Sequence, residues 1–362
     1  MQVLQSKKEN FNEFRVIDVP TQEVNLGEIR VNVERFSFTA NNVTYAVLGD
    51  YLKYWSFFPA KNADGTDAST EWGQIPVWGF GVVTESRCEH VNVGERFFGY
   101  FPPAQECVMK PSNVERGSYI DGSEHRAHLP AGYNIYRSAP AVDHQADNER
   151  SLLFPLFVTA YSIHDLLSDK DWFNADQILI ISASSKTSVG VAYALQNDEG
   201  SPKSIGLTSK RNRSSVENLN LYDQVLSYEE IENIDATKST IIVDMSGNKS
   251  LLSALHQHLS DNMKHTLNVG ITHWNDLSEV SGINTDRCEQ FFAPGHIQEM
   301  IKRMGPKEFQ VNSGTFVVES ALKTRSWLEC VELNGLLQLS ERYIDVCEGN
   351  IDSNTGLMVI NT

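Results

Sequence analysis

Gly27 opens a stretch in which apolar and polar residues alternate. Ile29, Val31 and Val33 fall on one face, and Arg30, Asn32 and Glu34 on the other. That period of two predicts a half-buried strand. Pro76–Ser86 and Val91–Pro102 read as further strands, with turn signals at Pro76 and Gly94. Gly79 and Gly81 interrupt the first of these, and glycine inside a strand marks a bulge or a close backbone approach. Residues 1–147 therefore predict short strands with Gly and Pro punctuation, as in a barrel or sandwich. From residue 148 the pattern changes. Asn148–Asp169 is helix-length and apolar on several faces, which predicts burial between layers, with Pro155 kinking it or marking its first turn. Strand-like and helix-like runs then alternate: Gln177–Ser184, Val189–Asn197, Ser204–Ser209, Asp223–Tyr228, Ser239–Asn248, Ser250–Asp261 and His265–Trp274. Continuous apolar strands alternating with helices predict a parallel doubly wound sheet over 148–289. Helices are expected at Gly295–Gly305 and Val317–Gly335, and a last strand at Leu357–Thr362. This final segment, 290–362, is expected to rejoin the first domain.

Composition narrows the functional classes. The chain has 362 residues, 41% hydrophobic and 21% charged, with a net charge of −17. Such a chain is globular, and its acidity argues against a nucleic-acid partner or an anionic membrane surface. No apolar run reaches the ~20 residues of a membrane helix, and the N-terminal residues lack a secretory apolar segment. A cytoplasmic location is expected. The five cysteines are scattered and show no metal-ligand spacing, so no metal site is expected.

The strongest local chemistry lies in Ile178–Leu195. A buried strand runs into Ser182, Ala183, Ser184, Ser185, Lys186, Thr187 and Ser188, then into a helix carrying Gly190. At such a junction, backbone N–H groups and the helix dipole face an anion, commonly a pyrophosphate. With one glycine, the run misses the dinucleotide fingerprint; it also suits a polar loop with a helix N-cap. The next strand ends in Thr208, Ser209, Lys210 and Arg211, with Arg213 close behind and no acid. An acid here would hold a ribose 2′-hydroxyl, whereas cations suit a 2′-phosphate, which points to NADP(H). A solvated basic turn is the simpler alternative. In Ser112–Pro140, His125, Arg126 and His128 suit either an anion-holding group or a capped surface loop. His256 and His258 read as structural.

In this order, these pieces resemble the medium-chain dehydrogenase/reductase superfamily, in particular its zinc-independent quinone-oxidoreductase and enoyl-reductase branches. Gly27–Tyr51 is similar to the family's strand followed by an Asn-Pro-x-Asp element and Gly-x-Tyr: Asn41 and Asn42 fall near that Asn, but the Pro and Asp are missing, and Val43 and Thr44 stand there. Gly94-Glu95-Arg96 is similar to its Gly-Asp-Arg element, and Leu156–Leu167 to its Leu-Thr-Ala helix. The loop at 182–190 departs from the family's Ala-x-Gly-Gly-Val-Gly, and 112–140 has no counterpart. Together these suggest a distinct, functionally uncharacterised bacterial branch.

The resemblance implies a GroES-like β-barrel domain (1–147 and 290–362) and a Rossmann-type domain (148–289). It also implies NADP(H) as cofactor, a small-molecule substrate and a homodimer. The reaction would be hydride transfer to an activated C=C or C=O bond of an enone, quinone, enoyl or aldehyde substrate. Tyr51 would be the proton donor, with Asn41 beside it, and Gly270 and Ile271 would approach the nicotinamide. Tyr54, Trp55 and Trp78 would line an apolar pocket, or else belong to ordinary core. A non-catalytic NADP(H)-binding sensor or scaffold on the same fold stays open.

Overall fold

The computed structural model describes residues 1–115, 117–269 and 281–361. In chain order the elements begin with β1 (Gln2–Lys7), β2 (Phe14–Asp18), β3 (Ile29–Phe38), α1 (Ala40–Val47), β4 (Trp72–Gly73) and β5 (Val77–Ser86). Then come β6 (Arg96–Phe101), β7 (Glu106–Met109), β8 (Pro111–Glu115), β9 (Ser118–Asp121), β10 (Ile135–Ser138) and α2 (His144–Asp169). The parallel region holds β11 (Gln177–Ile181), α3 (Lys186–Gln196), β12 (Lys203–Thr208), α4 (Arg213–Asn218), β13 (Gln224–Ser227), β14 (Thr240–Asp244), α5 (Lys249–Leu259), β15 (Met263–Asn268) and β16 (Cys288–Gln290). The chain closes with α6 (Ala293–Met304), α7 (Pro306–Thr324), β17 (Glu329–Asn334), α8 (Gly335–Cys347) and β18 (Thr355–Ile360).

Two compact units result: residues Met1–Phe154 with Leu328–Thr362, and Pro155–Trp327. The first unit is built on a mixed sheet in the order β17-β18-β3-β5-β6-β10-β9-β8, with β7 on β3 and a small sheet β2-β1-β4. The strand glycines act as expected. A Cβ on Gly79 would stand 2.1 Å from the Arg35 carbonyl oxygen, and one on Gly81 2.4 Å from Val31 Cγ1. Beside them the β3–β5 register shifts between Val33 and Arg35. The segment 112–140, read as an anion-holding group or a capped surface loop, supplies β8, β9 and β10, with a turn region at 122–134 between β9 and β10. At its centre Arg126 is fully buried, bonded to Asp121 Oδ2 (3.2 Å), Asn134 Oδ1 (2.6 Å), Tyr136 Oη (3.1 Å) and the Tyr133 carbonyl (2.8 Å). A guanidinium out of water needs that many partners.

The second unit is a parallel sheet in the order β13-β12-β11-β14-β15-β16, the doubly wound arrangement expected from the alternation. Ile178 and Ile180 face one apolar layer with Ala160, Val191 and Val243. Leu179 and Ile181 face the other, with Ile205, Ile242 and Leu255. Burial on both faces is why these strands read as continuous apolar runs.

α2 runs through the junction at Phe154/Pro155, burying Leu152 and Leu153 in the first unit and Phe157, Ala160, Ile163 and Leu167 in the second. It is the helix that, among the described residues, is long and apolar enough by composition to cross a membrane; more than half of that stretch is buried in protein. Pro155 is interior to it. Lacking an N–H, it leaves the Ser151 carbonyl without its helical donor, and Ser37 Oγ of β3 fills the gap at 2.8 Å.

Two sequence expectations are corrected. The units divide at Phe154/Pro155 and Trp327/Leu328 rather than at 147/148 and 289/290. α6 and α7 stay with the parallel sheet because Phe316 packs on Phe157 and Tyr161, and Trp327 Nε1 donates to Tyr193 Oη at 3.1 Å. The expected helix at Val317–Gly335 ends at Thr324, and Glu329–Asn334 pairs in parallel with β18. Its Glu and Leu favour a helix locally, but an open sheet edge supplies a full ladder, and tertiary context overrides propensity.

Candidate functional site

In the second unit, polar groups gather where the parallel strands end. Thr208 closes β12, Asp244 closes β14 and Asn268 closes β15, all buried among an otherwise aliphatic sheet. Among the described residues the Thr208 hydroxyl has no hydrogen-bond partner. Burial raises the Asp244 carboxyl pKa, although it accepts from Ser246 N and Oγ at 2.8 Å and from Gly247 N at 3.1 Å. Asp244 was not singled out from sequence; its signal was an acid directly after an apolar strand run. The crevice beyond the carboxyl ends is where doubly wound sheets bind ligands.

The loop after β11 rises from Ser182, whose φ of 63° is left-handed. Ala183 N donates back to the Leu207 carbonyl at 2.9 Å. Ser185 is the N-cap of α3: its Oγ accepts from Ser188 N at 3.2 Å and lies 2.8 Å from Ser188 Oγ. Capping uses the fully buried Ser188 for the loop itself. Ser184, Ser185, Lys186 and Thr187 stay half-exposed at the helix start, at the positive end of the dipole. Ser184 Oγ accepts from Asn212 Nδ2 at 3.0 Å, which ties this loop to the basic turn after β12.

Gly190 is elsewhere. It is buried inside α3, where a Cβ would stand 2.8 Å from Ala160 Cβ and Phe157 Cδ1. The missing side chain there permits close helix packing. In the basic turn Ser209 is half-buried, and Lys210 and Arg211 are exposed. Arg213 is committed to Glu230 (2.6 Å) and Glu217 (2.9 Å). Gly270 and Ile271 lie outside the described residues.

The first unit holds a cluster of hydroxyls and rings. Thr39 caps α1 in a reciprocal pair with Asn42, whose Nδ2 also donates to the Pro76 carbonyl at 2.8 Å. That capping box turns Asn41 and Tyr45 to one face, four residues apart. Asn41 Nδ2 donates to Tyr45 Oη at 2.8 Å, and Trp78 Nε1 donates to the same oxygen at 3.1 Å. The Tyr54 and Tyr133 hydroxyls lie 3.0 Å apart, and the Tyr45 and Tyr54 rings 4.7 Å apart. Burial raises the Tyr45 and Tyr133 pKa values and pushes Tyr54 up to about 12, so all three stay protonated at neutral pH.

The sequence-chosen residues divide here. Asn41, Tyr54 and Trp78 share this cluster. Trp55 fills a slot against the backbones of Gly49 and Gly73, where added Cβ atoms would stand 2.0 and 2.3 Å from its ring. It is packing, not pocket lining. Tyr51 is 81% exposed, on the turn after α1, with no side-chain hydrogen bond among the described residues. Tyr45 and Tyr133 were missed as a pair, because their meeting depends on β5 and the 131–134 turn rather than on spacing.

Among the described residues, Glu34, His144 and Asp147 bring possible metal ligand atoms within 4.8 Å of one another. Arg96 already engages Glu34 (2.6 Å) and Asp147 (2.7 Å), and Arg35 Nη2 lies 2.6 Å from His144 Nδ1. Two guanidiniums against this group oppose a dication.

Comparison with solved structures identifies the architecture. CurA from Vibrio vulnificus in complex with NADPH superposes with a TM-score of 0.62 at 12% identity, covering 100% of this chain and 99% of that one. The quinone oxidoreductase from Coxiella burnetii gives 0.55 at 15%, covering 99% of each chain. The JamJ enoyl reductase gives 0.56 at 11%, covering 100% of each. At these identities the likeness is one of fold: a GroES-like unit and a Rossmann-type unit. No curated protein matches the chain in sequence. The family described as "Protein of unknown function (DUF2855)" matches residues 36–352, and the chain belongs to that family.

Proposed function

We propose that the chain is an NADPH-dependent oxidoreductase that reduces an activated C=C or C=O bond. One observation carries the reading: the β12 carboxyl end presents Ser209, Lys210 and Arg211 where an NAD-preferring site has an acid. Ser184 Oγ joined to Asn212 sets that turn beside the α3 helix start. The buried Thr208 hydroxyl, without a partner among the described residues, suits a ribose or phosphate oxygen. Similar folds have been solved with NADPH, or bear quinone-oxidoreductase and enoyl-reductase activities.

In this reading, the loop Ser182–Thr187 holds pyrophosphate through backbone N–H groups and hydroxyls, and Ser209, Lys210 and Arg211 hold the 2′-phosphate. When bound, NADPH supplies the hydride, and Gly270 and Ile271 remain the expected neighbours of its nicotinamide. The proton comes from Tyr45 rather than Tyr51. Asn41 and Trp78 both donate to the Tyr45 oxygen, which orients the phenol and leaves its proton for an acceptor. A cytoplasmic homodimer without zinc completes the proposal. The glycine-poor loop favours a second reading, a non-catalytic NADP(H) sensor.

Fluorescence titration separates these. In the Lys210→Ala/Arg211→Ala variant the NADPH dissociation constant should rise at least tenfold, with NADH affinity changed less than twofold. Equal effects on both nucleotides would remove the 2′-phosphate role. Oxidation of bound NADPH by a quinone, enone or aldehyde panel supports the enzyme; tight binding without turnover supports the sensor.

A further inference from the structure

Buried and half-buried arginines in the first unit include several matched by acids. Arg30 meets Glu106 at 2.9 Å, Arg96 meets Glu34 and Asp147, and Arg126 meets Asp121. Arg137 on β10 and Arg150 on α2 differ. Both are half-buried, yet among the described residues neither has a carboxylate within 4.0 Å or a side-chain hydrogen bond.

The two converge on one aromatic wall. Arg137 is the direct cross-strand partner of Phe98 in the β10–β6 ladder, so the two side chains share a face. The Arg150 guanidinium lies 4.1 Å over the Phe98 ring, and that of Arg137 lies 6.0 Å from the Phe154 ring. Phe154 packs 5.2 Å from Phe98 and 5.1 Å from Trp78, whose indole N–H reaches Tyr45. The wall thus runs from the guanidinium pair to the proposed proton donor.

Ring contacts hold a guanidinium in place without using its N–H groups. What remains is a pair of positive forks, partly stripped of water and repelling each other. Burial and the neighbouring Arg137 charge lower the Arg150 pKa to about 10, and burial also lowers that of Arg137. Uncompensated buried charge is destabilising. An oxyanion removes the cost, because planar forks bind carboxylate or phosphate oxygens in pairs.

We propose that Arg137 and Arg150 form an oxyanion-binding subsite, and that the substrate is an organic anion, a carboxylate or phosphoester borne on a flat unsaturated group lying along Phe154 and Trp78. The word substrate rests on the reductase reading above; the anion site does not.

Calorimetric titration of the full chain with trans-cinnamate, phenyl phosphate and neutral cinnamamide tests this, with NADPH titrated in parallel. At least one anion should bind ten times tighter than the amide, and the tighter of the two identifies carboxylate or phosphoester as the natural group. Arg137→Gln/Arg150→Gln should abolish the preference while NADPH affinity stays within twofold. Arg150→Lys, which keeps the charge and loses the fork, should weaken anion binding three- to tenfold. The subsite is overturned if the wild type binds neither anion, binds the amide equally, or keeps its preference in the double variant. Anion preference without any NADPH binding would instead defeat the reductase reading alone.

Discussion

The two units exclude water from their interiors by different chemistry. The second is a parallel sheet faced with Ile, Leu and Val on both sides, its buried polar groups concentrated at strand ends such as Thr208, Asp244 and Asn268. The first is aromatic, and it buries arginines in the middle: Arg35, Arg96 and Arg126 are all buried, with Arg96 over the Phe80 ring and Arg126 over that of Phe58. A parallel sheet satisfies its backbone internally and leaves polar work to its carboxyl edge. A mixed sheet with bulges and an inserted β8–β10 segment must satisfy irregular backbone inside, and guanidiniums with five donors do that. The difference shows where each unit is exposed to perturbation: the first through its networks, the second through its edge.

The largest test of this contrast is Arg126→Ala. It strips the Asp121 carboxylate of its ion-pair partner and Asn134, Tyr136 and the Tyr133 carbonyl of a donor. Urea denaturation should show a loss of about 3–5 kcal/mol, the usual cost of breaking a buried pair. A loss below about 1 kcal/mol would mean the network is dispensable and the contrast overstated.

A second test uses acid. His256 of α5 accepts from Asn284 N at Nδ1 (3.0 Å) and lies 2.9 Å from Thr266 Oγ1 through Nε2. Burial, with the Arg287 charge adding to it, lowers its pKa from 6.5 to about 4. Its folded pKa is depressed, so the unfolded chain takes up the proton first on acidification. Its contribution is complete above pH 6.5 and is lost as pH falls toward 4, by up to about 3 kcal/mol. The first unit's buried arginines do not titrate in that window. The wild-type stability curve should therefore steepen there relative to His256→Gln; parallel curves would place the acid sensitivity elsewhere.

The smallest expected effect concerns Pro155. Ser37→Ala leaves the Ser151 carbonyl without its donor and should cost about 1 kcal/mol. The further change Pro155→Ala restores the helical donor, so the double variant should recover most of that loss in a thermal melt. An unchanged midpoint in Ser37→Ala would show that the carbonyl finds another partner.

Much of this architecture was legible in the chain. The strand alternation at Ile29–Val33, the apolar run Gln177–Ile181 and the helix after the serine loop fell where expected, because each buries a face whose period is written in neighbouring residues. The strand at 329–334 was not legible, since its parallel partner lies beyond α8 in sequence. Within the candidate sites, the serine loop and basic turn were visible as contiguous polar runs. The packing constraint on Gly190 was not legible, because it comes from Phe157 and Ala160 on another helix. Tyr45, Tyr133, Arg137 and Arg150 gave no local sign.

Periodicity, the acid-free turn after β12 and the alternation of strands and helices were determined by the sequence alone, since they depend on residues a few positions apart. Which arginines are neutralised, which tyrosine is sheltered and where Gly190 packs were decided only by tertiary structure. Pairing and desolvation are set by side chains that meet across β3, β5, β6, β10 and α2, and no local pattern records which groups a folded chain leaves without a partner.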